Sequence, residues 1–393
     1  MPSIYERLGV APVINAKGTA TRLSGGIMRR EVADAMVEAS EACVDIAALQ
    51  AAASREIAAV TGAEAGYVAS GASACLLLAT AACMAGLDLS AMARLPDTAG
   101  VKNEVVMVRS QRNFYDHAVR GAGARIVEVG LPDRFAGAGV RDAEGWEIDA
   151  AITERTAAVF YVADALARPS LPEVIEVAHR RGVPVFVDAA AQLPPQSNLR
   201  RFIAEGADLV AFSGGKVIGG PQASGFLCGR RDLIMSAALQ HLDFDIPWAR
   251  WQPPPGLIDK AKLKGVPLHG IGRPCKAGKE EIAGLLTALR LFVQEGDAAR
   301  HARWLKRVNE MAKHLRCAGV DILYTDDLSA VPQVKLTLKG MTAEEFLTRL
   351  ATGTPAVHAD ASVWDSQVVF LNPLCLGEGD GARVAEAVNA ILA

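Results

Sequence analysis

Two side chains in this sequence have the types and spacing to work as a pair. Lys216 lies in Asp208-Leu-Val-Ala-Phe-Ser-Gly-Gly-Lys216-Val-Ile-Gly-Gly-Pro-Gln222, a short apolar run followed by small residues, one lysine and a glycine-rich turn. Asp188 closes a second apolar run, Val183-Pro-Val-Phe-Val-Asp188, 28 positions upstream. Pyridoxal phosphate chemistry needs two such groups: an amine that forms a Schiff base with the aldehyde, and a carboxylate that keeps the pyridine nitrogen protonated. The interval leaves room for one helix and one strand. Both residues are therefore expected at the carboxyl ends of sheet strands, where open α/β folds bind ligands. The plainer alternative for Lys216 is a surface lysine, but the small residues on both sides would let a planar ring approach the backbone. Asp188 needs a partner because an isolated buried charge is costly. A helix cap or a salt bridge would serve it as well as a pyridinium.

Three further groups of residues could complete a site. Ser70-Gly71-Ala72-Ser73 opens a helix, and free amides and hydroxyls at a helix start hold phosphate well. Plain N-capping by Ser70 is the simpler alternative. The stretch is neither a Walker loop nor a Gly-x-Gly-x-x-Gly turn, which disfavours a dinucleotide. Arg112-Asn113-Phe114-Tyr115-Asp116-His117 follows a strand, and His117 is a candidate to stack on the ring or to move protons. In Gly270-Ile-Gly-Arg273-Pro-Cys-Lys276-Ala-Gly-Lys279, Arg273 is a candidate to clamp a substrate carboxylate with its two-pronged guanidinium. Lys276 is a second candidate for the substrate, while Lys279-Glu280-Glu281 reads as a charged helix start.

The elements that must position these residues alternate. Strands are expected at Val105–Arg109, Arg125–Val129, Ala157–Val162, Val183–Asp188, Asp208–Phe212 and Gly225–Cys228. The helix between the third and fourth of these carries Ser170 as a cap, Pro172 in its first turn and Gly182 after its end. Strands alternating with helices imply a largely parallel sheet covered on both faces. Earlier helices are expected at about residues 29–42 and 47–60, followed by an Ala/Leu-rich buried helix from Ala72. Residues 247–278, rich in Pro and Gly, read as a functional connection. Helical stretches follow at about Lys279–Gln294 and Ala298–Ala318, and then a small unit that alternates strand and helix. The expected division is an arm and helix at 1–45, a large cofactor-binding domain at 46–255 and a small C-terminal α/β domain at 256–393.

The bulk properties agree with a globular enzyme. The chain has 393 residues, 51% hydrophobic and 22% charged, with a net charge of −3. No basic excess points to nucleic acid or a membrane surface as a partner. Seven cysteines without Cys-x-x-Cys spacing argue against disulfides and a zinc site, so a cytoplasmic protein with reduced thiols and no metal is expected. The apolar stretch from Ala72 to Leu89 is too interrupted for a membrane span.

The order Ser-Gly-Ala-Ser-Ala, Val-Asp-Ala-Ala, then Phe-Ser-Gly-Gly-Lys with Gly-Gly-Pro-Gln, resembles fold-type I pyridoxal phosphate enzymes. Within them it resembles the selenocysteine synthase (seryl-tRNA selenium transferase) branch. Ile271-Gly-Arg-Pro-x-Lys-x-Gly-Lys-Glu-Glu-Ile is similar to its D-glucosaminate-6-phosphate ammonia-lyase subgroup. The resemblance implies a large domain with a mostly parallel seven-stranded sheet, a small C-terminal domain, and a homodimer or larger homo-oligomer with shared active sites. It implies Lys216 as the Schiff-base lysine, Asp188 as the pyridinium partner, and Ser70, Gly71, Ala72 and Ser213 as phosphate contacts. The acidic chain has no basic arm of the kind that docks tRNA in bacterial selenium transferases. The expected reaction is loss of water and ammonia from a β-hydroxy amino acid to give a 2-keto acid. A racemase, an aldolase, a selenium transferase and a non-enzymatic pyridoxal phosphate-binding protein are the alternatives.

Overall fold

The structure is a computed structural model that describes residues 3–131 and 142–393. Its centre is a sheet of seven strands: β1 (Ala65–Ala69), β2 (Glu104–Val108), β3 (Arg125–Val129), β4 (Thr156–Val162), β5 (Val185–Asp188), β6 (Leu209–Ser213) and β7 (Gly225–Gly229). The spatial order is β1-β7-β6-β5-β4-β2-β3. Neighbours run parallel except β7, which is antiparallel to both β1 and β6. The expected α/β class with a mostly parallel seven-stranded sheet is what forms. The seventh strand is β1, whose Ala-Gly-Tyr-Val-Ala carries too little β-branched character to stand out beside the helix that follows.

Residue type explains the layering. β2, β5 and β7 are buried along their whole length, as strands covered on both faces must be. β3 keeps mostly exposed or half-buried residues because it is the sheet's edge. On one face lies helix α1 (Ala72–Ala85), buried around most of its circumference. Its alanines let it sit close between the sheet and the helix Arg231–His241. The helix Leu171–Arg180 buries Leu171, Val174, Ile175 and Ala178, a single apolar stripe. Ser170 does stand at its N-cap, but makes no side-chain cap bond.

The C-terminal part has its own antiparallel sheet, ordered Asp360–Ala361, Val368–Leu371, Gln333–Thr337, Val320–Leu323. The arm joins it: Ile14–Asn15 pairs in parallel with Val357–His358, and Ile14 and Ala16 enter that core. Buried Asn15 then ties the arm's turn, donating to the carbonyls of Gly18 and Gly25 at 2.9 Å each. Helix α2 (Lys279–His314) links the two cores. Ile282, Leu285 and Phe292 pack in the first, Val308 and Met311 in the second, with a break at Gly296, whose φ is 70°. The two helical stretches expected on either side of residue 296 are the halves of α2. No helix among the described residues is long and apolar enough to cross a membrane.

Candidate active site

β4, β5 and β6 end side by side, with Asp188 in register with Val162 on one neighbour and Ala211 on the other. A cavity of about 650 Å³ opens at these carboxyl ends. Asp188, Ser213 and Lys216 line it from the sheet, and Ser70, Gly71, Ala72 and Ser73 line it from the start of α1. The expected cofactor residues thus meet in one place, although 146 positions separate Ser70 from Lys216.

Asp188 is 8% exposed, and its Oδ1 accepts a hydrogen bond from the Ala190 amide at 3.0 Å. Burial pushes its carboxyl above the usual carboxylate range, against the pull of that amide and of the Lys216 charge. Burial equally pushes the Lys216 amine below its ordinary value, with the Asp188 charge opposing. Neither carboxylate nor amine has an ion-pair partner within 4.0 Å among the described residues. Two half-compensated groups of opposite charge therefore face one cavity.

The side of the cavity at the start of α1 is built by close backbone approach. Gly71 is the N-cap of α1 with φ 138°, and Ser70 offers no side-chain cap. The Ser70 amide donates instead to the Cys275 carbonyl at 3.1 Å, and the first helical acceptor is the Gly71 carbonyl, taken by Cys75. The amides of the first turn are left for a ligand, as at any helix start. A Cβ on Gly225 of β7 would lie 2.6 Å from the Gly71 carbonyl carbon, so only glycine lets β7 reach this turn.

Three candidates are not brought to the cavity. His117 begins the short helix His117–Gly121 and points to solvent, while Asn113 and Tyr115 of the same loop line the cavity. Between them Asp116 is buried and ion-paired to Arg112 and Arg120. Arg273 donates to the His241 carbonyl at 2.7 Å and stands 3.6 Å from Asp243. Lys276 is exposed beyond it. Both flank the turn at Ser70 from behind, through the Cys275 carbonyl, and neither lines the cavity.

Thr19 and Thr21 bring the arm onto the cavity, and the Gln222 amide donates to the Thr21 hydroxyl at 3.2 Å. The structure also adds residues that local sequence did not single out. Gln192 lines the cavity while donating to the Ala163 carbonyl at 2.6 Å. Gln111, after β2, accepts from the Val162 amide at 2.9 Å and keeps its own buried NH2 without a partner. The only sequence signal for Gln222 was its place in the lysine motif. Gln111 had none.

This fold, with a lysine and a buried carboxylate at adjacent strand ends, defines the class of fold-type I pyridoxal phosphate enzymes. Comparison narrows it: the chain belongs to the L-seryl-tRNA selenium transferase family, whose model matches residues 13–243. The class-V aminotransferase model matches residues 146–359. The chain is 31% identical to D-glucosaminate-6-phosphate ammonia lyase of Salmonella typhimurium, over 99% of this chain and 98% of that protein. It is 33% identical to a Streptomyces 5'-C-glycyluridine monooxygenase-decarboxylase, over 90% of this chain and 83% of that protein. A solved structure of D-glucosaminate-6-phosphate ammonia-lyase superposes with a TM-score of 0.81 at 30% identity, covering 100% of this chain and 98% of the other.

Proposed function

We propose that this protein is a pyridoxal phosphate-dependent lyase that converts a β-hydroxy amino acid to a 2-keto acid and ammonia. A sugar amino acid such as D-glucosaminate-6-phosphate falls within that class. The observation that carries the reading is the unpaired Lys216 and Asp188 facing one cavity, in a chain that aligns end to end with an ammonia lyase.

The residues present fit the cofactor. The Asp188 carboxyl, raised by burial and without an ion-pair partner, would regain one in the proton of a ring nitrogen. The free amides after Gly71 and the Ser70 and Ser213 hydroxyls suit a phosphate. When bound, pyridoxal phosphate supplies the electron sink for the bond broken at the substrate's α-carbon. Lys216, its amine depressed by burial, takes the α-proton. With His117 turned to solvent, Lys216 also delivers a proton to the departing β-hydroxyl. Thr19, Thr21 and Gln222 close the arm side against water. The hydroxyl leaves as water, and hydrolysis of the released product takes one up, so the net products are the keto acid and ammonia.

The working form is a homo-oligomer with shared sites. Phe114, 92% exposed, stands beside Tyr115 at the cavity, a large apolar surface that a second copy would cover. The test is to load the protein with pyridoxal phosphate and add D- and L-β-hydroxy amino acids. A visible band lost in Lys216→Ala, with ammonia and keto acid formed together, is expected. No band rejects the cofactor. A band with only inversion or aldehyde release makes it a racemase or an aldolase. The 33% identity to the monooxygenase-decarboxylase supports a second reading, oxidative decarboxylation. Oxygen uptake with carbon dioxide release would select it.

A further inference from the structure

Behind the lysine turn lies a second cavity, of about 260 Å³, that shares Thr19 and Lys216 with the first. Its other walls are the arm near Arg29, the C-terminal half of α2 with Arg303, Trp304 and Arg307, and the loop after Leu371 that carries Cys375. The arm, the lysine turn, α2 and the loop after Leu371 all contribute to it.

Its charges do not balance. Glu295 is 14% exposed and stands within 2.6 Å of Arg29 and 2.7 Å of Arg303. Burial would raise its carboxyl, but the hydrogen bonds and charges of Arg303, Arg29 and Arg300 hold it below the usual range. Arg307 has no such partner. Its only side-chain hydrogen bond among the described residues goes to the Pro373 carbonyl, at 3.2 Å. Burial pushes its guanidinium down and the charges of Arg303 and Arg29 push it further, while Asp380, already paired with Arg383 at 3.1 Å, opposes them from beyond ion-pair distance. Glu378, the other acid in the lining, is exposed to solvent. A second donor is idle: the indole N–H of Trp304, a residue only 2% exposed, has no acceptor among the described residues. Buried donors without acceptors are uncommon, and one beside an under-compensated guanidinium calls for an anion.

We propose that this cavity is an oxyanion site that takes a phosphate group, bound by Arg307 and Trp304 with Arg29 and Arg303 behind them. Its volume admits a phosphate or the end of a phosphate monoester and excludes a second cofactor. A phosphate here would join the arm, the lysine turn and the small domain, and so favour their closed arrangement around Lys216. The site stands apart from the proposed reaction. Only the idea that the phosphate is carried by the substrate rests on that reading.

The test uses protein loaded with pyridoxal phosphate, so that the start of α1 is already filled. Inorganic phosphate and 6-phosphogluconate are titrated by calorimetry at constant ionic strength, with chloride as the control. Saturable binding is expected, weakened about tenfold or more in Arg307→Gln and in Trp304→Phe, the loss of a charge-assisted hydrogen bond. If phosphate binds as tightly as 6-phosphogluconate, the free ion is the ligand. If the sugar phosphate binds tighter and loses that advantage in Arg307→Gln, the phosphate comes on a substrate-like molecule. No saturable binding of either, or binding unchanged in both variants, overturns the site. A phosphate response without a visible cofactor band would sink the lyase reading and leave this site standing, and the reverse result would do the opposite.

Discussion

The two cavities that meet at Lys216 handle charge in opposite ways. In the first, Asp188 and Lys216 are both desolvated and neither is ion-paired. In the second, Glu295 gathers arginines from the arm and from α2, and only Arg307 and the Trp304 indole are left over. The paired set holds segments together, and the unpaired groups are where ligand chemistry is expected. A buried charge without a partner costs stability in the free protein, so it persists where a ligand supplies the partner.

Substitutions can break that contrast, and the largest effect belongs to the lysine. Lys216→Ala should remove the visible cofactor band and cut turnover by roughly 10³-fold or more, while the fold survives. Normal turnover in that variant would end the assignment. Asp188→Asn should cost about 10²-fold in activity, as a preorganised charge is lost. The cofactor-free variant should nevertheless be at least as stable as the parent, because a desolvated carboxylate has gone. A clear fall in Tm would instead mean that Asp188 is structural.

Glu295→Gln should behave in the opposite sense. Removing the acid between arginines should destabilise the protein by about 3 kcal/mol in denaturant titrations. It should also tighten phosphate binding at Arg307, which a purely architectural cluster would not do. Gly225→Ala should weaken pyridoxal phosphate binding and lower stability by about 1–3 kcal/mol, since a Cβ 2.6 Å from the Gly71 carbonyl carbon must push the phosphate turn aside.

The smallest effect sharpens the comparison through pH. The Asp188 carboxyl is raised in the folded chain, so the unfolded chain binds fewer protons as pH climbs past the ordinary carboxylate value. Its contribution is therefore present at low pH and lost as pH rises through the folded value. Glu295 is lowered, so its contribution is present above the ordinary glutamate value and lost as pH falls through the folded one. In the cofactor-free protein, the Tm advantage of Asp188→Asn over the parent should grow as pH rises through the weakly acid range. The deficit of Glu295→Gln should shrink towards low pH. Parallel pH profiles for all three proteins would show that the two carboxyls do not differ as described.

Much of this molecule was legible in its residues. The six runs from Val105 to Cys228 are strands within a residue or two: five are inner strands and so continuously apolar, and the sixth, Arg125–Val129, is the mixed edge strand. Lys216 and Asp188 could be matched because each ends such a run, which puts it at the sheet's ligand-binding edge. Side-chain direction in the loops was not legible. His117 and Tyr115 are two positions apart on either side of the ion-paired Asp116, and only Tyr115 lines the cavity. Arg273 has a motif of its own, yet the His241 carbonyl holds it elsewhere.

Local pattern sufficed where a residue's surroundings are its own strand or helix: the α/β class, the lysine and carboxylate at strand ends, and the open helix start at Gly71. Whatever joins distant segments was decided only in three dimensions. Thr21 meets Gln222, and Arg29 meets Glu295, across intervals no periodicity spans. Burial, which turns Asp188, Lys216 and Arg307 from ordinary charges into unsatisfied ones, is a property of the packed molecule rather than of any stretch of chain.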